Sequence, residues 1–210
     1  MNIIILHGLG QMPKDWETVR KRLEKDSSDV VLCPEIADWI RQKDPCYDRL
    51  YTEFEAYCEQ LNGMFHLCGL SLGGILALQY SARHPNRVGS LILIGTQYKM
   101  PKRLLWVQNK IFQLMPDVGF LSMGVEKRQL IDLSKSMMDL DLTAELQKIT
   151  CPVLILCGKK DWVNWPASKR LKKAIPHAKI ERIAQASHEV NKDNPDAAGE
   201  RIRKFLETMQ

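Results

Sequence analysis

The sequence lacks the features that would take it out of the ordinary globular class. None of its 210 residues belong to an apolar run approaching the ~20 residues of a membrane-spanning helix, so no span is expected. The first stretch, Met1-Asn2-Ile3-Ile4-Ile5-Leu6, is apolar but short. It has neither a basic leader nor a small-residue cleavage site, so a signal peptide is not expected. The six cysteines form no Cys-x-x-Cys pair and have no histidine at zinc-site spacing, which argues against a structural metal. Four of them (Cys33, Cys68, Cys151 and Cys157) lie in or beside strand-like runs, where cysteine acts as a small buried hydrophobe. Reduced thiols and a cytoplasmic location are the expectation. No internal repeat, low-complexity tract or long block of one charge is present. The net charge of +5 comes from scattered Lys and Arg, which suit a solvated surface better than a nucleic-acid footprint.

What is present is an alternation of strand-like and helix-like segments in a one-domain length. Strands are expected at Asn2–Leu6, Val30–Cys33, Phe65–Cys68, Ser90–Ile94, Val153–Cys157 and Lys179–Ile183. Several are apolar at consecutive positions, as parallel strands covered on both faces require. Helical stripes lie between them: Trp16, Val19 and Leu23 form one, and Leu50, Phe54, Tyr57, Cys58 and Leu61 another. Asn194 is a good N-cap, Pro195 suits the first helical position, and Ile202, Phe205 and Leu206 mark a closing helix. The fold class is therefore α/β, a mostly parallel sheet of about six strands flanked by helices. Between Thr96 and Leu142 the alternation breaks. Two apolar helical stretches, around Leu104–Met115 and Leu130–Met138, flank the turn-forming Pro116-Asp117-Val118-Gly119. A helical cap over 97–142, inserted into a core of 1–96 and 143–210, is expected.

Gly69-Leu70-Ser71-Leu72-Gly73 carries the chemistry. A Gly-x-Ser-x-Gly pattern after a strand and opening an apolar helix forces a sharp turn, with the serine hydroxyl exposed at its tip. Residues two before and two after the serine must be small, and the N–H of Leu72 falls at a helix N-terminus where an oxyanion is favoured. His7-Gly8-Leu9-Gly10 follows the first strand. His7 reads equally as a hydrogen-bonded core histidine, but the N–H of Leu9 is a candidate second oxyanion donor, with Gly8 and Gly10 allowing the turn. In this elbow architecture the acid follows the nucleophile and the base comes last. Asp161 closes the buried run Val153–Gly158-Lys159-Lys160, and His188 follows the last strand. Glu189 adjoins His188 but would point elsewhere; His66, His84 and His177 read as structural or solvent-facing.

These stations together resemble the α/β-hydrolase superfamily over nearly the whole chain, as a compact serine esterase/lipase-like member with a small helical cap. The resemblance implies a catalytic triad of Ser71, Asp161 and His188, an acyl-enzyme intermediate, no cofactor and a small-molecule acyl substrate. The family usually begins with an antiparallel hairpin before the His-Gly strand, whereas here that strand starts at Asn2. Met100, Met115, Met123, Met137, Met138, Trp106, Phe112 and Phe120 are cap residues that either line an acyl pocket or simply pack. Trp106, Phe112 and Trp162 are the pocket candidates, with Trp165 nearby; Lys99, Lys102 and Arg103 would favour an anionic substrate or form a solvated face. A thioesterase, lactonase, C–C bond hydrolase or acyltransferase on the same fold remains open, as does a noncatalytic binding module. Dehalogenase chemistry is disfavoured by Ser71 itself, and a menaquinone-pathway elimination enzyme by the absence of arginine in Ile75–Gln79. Nothing in the chain sets its oligomeric state.

Overall fold

The computed structural model describes residues 1–25, 29–41, 45–121 and 125–209. In chain order the elements are β1 (Asn2–Leu6), α1 (Glu17–Glu24), β2 (Val30–Leu32), α2 (Ile36–Ile40), α3 (Tyr47–Glu59), β3 (Phe65–Leu70) and α4 (Leu72–Arg83). Then follow β4 (Val88–Ile94), α5 (Lys102–Leu114), α6 (Val118–Leu121), α7 (Lys127–Ser136) and β5 (Val153–Gly158). The chain closes with α8 (Trp165–Ala174), β6 (Lys179–Ile183), α9 (Val190–Asp193) and α10 (Pro195–Glu207).

The six strands form one sheet in the order β2-β1-β3-β4-β5-β6, every pair parallel. The expected α/β class with six parallel strands is the observed one. Each expected strand is present, with ends moved by no more than two residues. The apolar runs explain this. Ile3, Ile4, Ile5 and Leu6 are all completely buried, so both faces of β1 are covered. Each such side chain contributes roughly 2 kcal/mol of burial. One face packs Ile3, Ile5, Cys68, Leu70, Ile92 and Ile94 against Trp16, Val19 and Leu23 and against Ile202, Phe205 and Leu206 of α10. Alternation along the strands sends Ile4, Leu67 and Leu93 to the other face, where α4 lies against β1, β3 and β4. Helix α4 is buried from Leu72 through Ala82. Asn194 caps α10 by accepting from the Ala197 N–H at 3.2 Å, and Pro195 occupies the first turn.

Contacts divide the chain into two compact units. The first comprises Met1–Pro34, Gly63–Tyr98 and Ala144–Gln210, and contains the whole sheet. The second comprises Glu35–Asn62 and Lys99–Thr143. It thus draws on the segment before β3 as well as the expected insertion, because α2 and α3 both pack on α7. The Tyr47 N–H donating to Ser136 Oγ at 2.9 Å ties the two segments together. The turn expected at Pro116–Gly119 runs on into the short α6, since Val118 already starts a helix.

Register sets where function can sit. Leu6 pairs with Gly69, Leu70 with Ile94 and Gly158 with Ile183, so the carboxyl ends of five strands stand nearly level. The strand order reverses between β1 and β3, the place where open α/β sheets commonly carry their sites. Leu9, Ser71, Gly95, Asp161 and His188 all belong to segments that leave these ends.

Candidate active site

The turn from β3 into α4 is made in one residue. Ser71 has φ +53° and ψ −112°, a backbone conformation that L-residues reach only under strain. It is held there by its own N–H donating to Ile94 O at 2.9 Å, while its carbonyl accepts from Ile75 N at 3.0 Å. The flanking glycines are required by contact. A Cβ on Gly69 would come within 2.4 Å of Gly73 O, and one on Gly73 within 2.1 Å of Leu6 O. Both neighbours are backbone atoms that cannot move aside. Leu72 is the first residue of α4, so its N–H lies at the helix end that has no carbonyl partner within the helix.

The turn after β1 comes up beside this elbow. Its Gly8 O accepts from Gln11 N at 3.1 Å, with Leu9 and Gly10 between them and Gly10 at φ +78°. A Cβ on Gly8 would meet Leu70 Cδ2 at 2.6 Å, which places this turn over the end of β3. His7 is buried, and its Nδ1 lies 3.0 Å from Gly8 O. Gln11 is the brace of the loop. Its Oε1 accepts from Trp16 Nε1 at 3.1 Å and from Gly8 N at 3.3 Å; its Nε2 donates to Glu189 Oε1 at 2.9 Å and Asn191 Oδ1 at 3.1 Å.

Asp161 and His188 meet directly, Nδ1 of the imidazole lying 3.0 Å from Asp161 Oδ2. Asp161 is 5% exposed, whereas the His188 side chain retains 38% exposure and can reach a ligand. Burial pushes the Asp161 carboxyl up, but hydrogen bonds from His188 and from the side chain and backbone of Asn164 outweigh it and hold the group below its ordinary value. Gly95 closes the arrangement from β4. Its φ is +53°, and a Cβ there would stand 2.9 Å from both Cε1 and Nδ1 of His188 and 3.4 Å from Asp161 Oδ2. Ser71 is bonded to Ile94 and His188 abuts Gly95, so nucleophile and base candidates adjoin the same strand end.

The chain belongs to the alpha/beta hydrolase family. That family's model matches residues 3–200. Among curated proteins, this hydrolase-family chain is 25% identical over 252 residues to the biotin biosynthesis bifunctional protein BioHC of Teredinibacter turnerae, covering 97% of the chain and 44% of that protein. It therefore spans less than half of that relative's length. It is 22% identical over 225 residues to the pimeloyl-[acyl-carrier protein] methyl ester esterase of Nitrosomonas europaea, covering 89% of the chain and 88% of the esterase. In three dimensions it resembles a structure described under carboxylesterases of the Thaumarchaeon Nitrososphaera gargenis. The TM-score is 0.84 at 18% identity, over 99% of this chain and 90% of that one.

Two residues of this family member, Asn164 and Gln97, carry no local sequence signal yet sit in the site, and Gly95 joins them there. Gln97 Nε2 donates to Asn164 Oδ1 at 2.8 Å, and Asn164 Nδ2 lies 3.0 and 2.9 Å from the two Asp161 oxygens. The strand-end position of Gly95 was the available clue to it. The other histidines are occupied elsewhere: His66 with Ser90 Oγ at 2.8 Å, His84 stacked on Tyr80, and His177 with Cys151 O at 3.0 Å. Glu189, as expected, points away, toward Gln11 and Lys192.

The pocket candidates are less tightly built. Trp162 is 76% exposed. Trp106, on α5, is 56% exposed, with Lys110 Nζ 5.7 Å from its ring centroid. Phe112 packs edge-on against the buried Phe120 at 5.6 Å. Met100 and Met137 are buried, Met115 and Met138 half-buried, and Met123 lies outside the described residues. A recess of about 840 Å³ in the second unit is lined by none of Trp106, Phe112 and Trp162. Among its lining charges Lys127 pairs with Asp117, and both Arg128 and Lys135 with Asp132. No cluster of three or more metal-ligating side chains occurs among the described residues.

Proposed function

We propose that this protein is a serine hydrolase cleaving small acyl esters, with Ser71 as nucleophile, His188 as general base and Asp161 as the group orienting that base. The observation that carries the reading is the convergence at the end of β4: the strained Ser71 bonded to Ile94, and His188, held by Asp161, against Gly95. With the imidazole proton on Nδ1 and donated to Asp161, Nε2 is left to accept from Ser71 Oγ.

Attack of Ser71 Oγ on the acyl carbon forms the new C–O bond as His188 takes the hydroxyl proton. The carbonyl oxygen becomes an oxyanion between the N–H groups of Leu9 and Leu72. Losing one such donor in comparable enzymes costs ~3 kcal/mol of barrier. Collapse breaks the ester C–O bond, and the alcohol leaves with the proton from His188. Water, deprotonated by His188, then attacks the acyl-enzyme, and the acid departs as Ser71 regains its proton. Ester chemistry is favoured over the family's other reactions because the similar proteins named above include a methyl ester esterase and carboxylesterases. The substrate proposed is a small molecule carrying an acyl group, with Trp162, in the same compact unit as Ser71, as a contact for its acyl part.

Two measurements test this. A fluorophosphonate probe should label the wild-type protein and not Ser71→Ala, and p-nitrophenyl esters of rising chain length should be turned over only by the wild type. Equal turnover by folded Ser71→Ala would overturn the assignment. Absence of both labelling and turnover in folded wild type would instead favour a noncatalytic binding module.

A further inference from the structure

We infer that Asn164 is a positioning residue for the base, its side-chain amide fixed by Gln97 so that it holds the Asp161 carboxylate turned toward His188 and restrains that carboxylate's pull on the imidazole proton. The inference rests on the hydrolase reading above for its consequence in turnover, but not for its structural content.

Asn164 occupies the N-cap of α8, where an asparagine ordinarily turns its side-chain oxygen onto the first backbone N–H groups of its helix. Here it makes no such bond. The side chain is diverted instead. Its Oδ1 accepts from Gln97 Nε2 at 2.8 Å, and this fixes which end of the amide faces the site. The opposite flip would set the amide oxygen against two carboxylate oxygens and leave Gln97 facing an amide nitrogen. In the observed orientation Nδ2 lies 3.0 Å from Asp161 Oδ1 and 2.9 Å from Oδ2, while the Asn164 backbone N–H donates to Oδ1 at 3.1 Å.

His188 Nδ1 has two neighbours, Asp161 Oδ2 at 3.0 Å and Asn164 Nδ2 at 3.1 Å. Nδ1 either donates to the carboxylate or accepts from the amide. The charge-assisted bond to the carboxylate is the stronger, so the proton sits on Nδ1 and the amide hydrogens go to Asp161. Asn164 then does two things. It supplies donors that let a buried carboxylate stay ionised, and by sharing that charge it weakens the carboxylate's stabilisation of imidazolium. The positive end of its amide dipole, 3.1 Å from Nδ1, opposes a positive ring as well. Of the other charged groups nearby, Glu189 is turned to Gln11 and Lys192, and Asp193 accepts from the Ser187 N–H; at the end of β4 the uncharged Gly95 lies against the ring.

The test compares Asn164→Ala and Gln97→Ala with wild type. The readouts are the pH dependence of kcat/KM on a p-nitrophenyl ester, the low-field proton resonance of the His188–Asp161 bond, and the NMR titration of the His188 ring. For Asn164→Ala the expected result is a roughly tenfold fall in kcat with KM little changed, the scale of one hydrogen bond to a charged group. The acid limb of the profile and the ring titration should both move to higher pH, and the low-field resonance should shift. Gln97→Ala should move all readouts the same way by less, and it carries the test should Asn164→Ala not fold. Unchanged ring titration and resonance in a folded variant would overturn the inference. Because those two readouts need no turnover, failure of the hydrolase reading would appear separately, as an inactive wild type with the Asn164 effects intact.

Discussion

Gln11 and Asn191, 180 residues apart in the chain, form a buried amide pair, with Gln11 Nε2 donating to Asn191 Oδ1 at 3.1 Å and Asn191 Nδ2 lying 3.4 Å from Gln11 Oε1. The pair joins the turn that carries Leu9 to the helix that follows His188. Asn191 also donates to Asp15 O at 3.1 Å. Replacing Gln11 by leucine would strand the Trp16 and Gly8 N–H groups and one face of Asn191 in a dry interior. Each unsatisfied group costs about 1–3 kcal/mol. Gln11→Leu should therefore lower stability by on the order of 3 kcal/mol in urea unfolding; a loss under about 0.5 kcal/mol, the scale of a neutral surface change, would count against the brace.

Strain at Ser71 makes a prediction of opposite sign. Its φ of +53° costs an L-residue on the order of 1–3 kcal/mol, a cost glycine does not bear. Ser71→Gly should melt higher than Ser71→Ala, both being inactive toward esters, and higher than wild type by about 1 kcal/mol of stability after glycine's greater unfolded-state entropy is counted. Equal melting of the two variants would show the backbone to be relaxed there.

Gly95→Ala isolates the seat of the base. The added Cβ would meet the His188 ring at 2.9 Å, and the left-handed φ adds strain. Displacement of the ring by even a fraction of an ångström misaligns Nε2, so kcat/KM on an ester substrate should fall by on the order of a hundredfold. Near-native activity in the variant would mean that His188 is not held against β4 during turnover.

Acid should act on stability through Asp161. Its folded-state value lies below the ordinary one, so the folded protein binds the proton less readily than the unfolded chain. The resulting stabilisation is complete above the unfolded-state value of about 3.9 and is lost as pH falls through the lower folded value. Thermal unfolding of wild type and Asp161→Asn should therefore differ most near neutrality, the gap narrowing below about pH 4. A gap that stays constant with pH would remove the carboxylate as its source.

The thiols should divide by burial. Cys58, Cys68, Cys151 and Cys157 are buried, while Cys33 and Cys46 are half-buried. Burial raises the Cys68 and Cys157 thiols and pushes Cys151 up to about 11, which keeps thiolate scarce at pH 8. Titration with a thiol reagent should show at most Cys33 and Cys46 reacting before unfolding exposes the rest.

Much of this molecule was legible along the chain because its cause is local. Consecutive apolar residues at Asn2–Leu6 and Val153–Gly158 mean a strand covered on both faces, wherever its neighbours lie. Asn194 and Pro195 announce a helix start by their own chemistry. Gly69, Ser71 and Gly73 state a tight strand-to-helix turn, since the crowding they relieve lies mostly within five residues and the adjoining β1. Candidate status for Asp161 followed from its place after the apolar run Val153–Gly158, and for His188 from its place between the last strand and the closing helix.

Tertiary structure alone decided the rest. Gln97 and Asn164 are 67 residues apart, and Gln11 and Asn191 180; nothing near any of them in sequence says that their amides meet. The second compact unit likewise joins Glu35–Asn62 to Lys99–Thr143 because their helices pack together, not because the sequence between them changes character. Asn164 shows the difference most directly. A helix N-cap is its local preference, but its amide serves the buried Asp161 carboxylate instead, because an ionised group left without donors in a buried position costs more than an uncapped helix end.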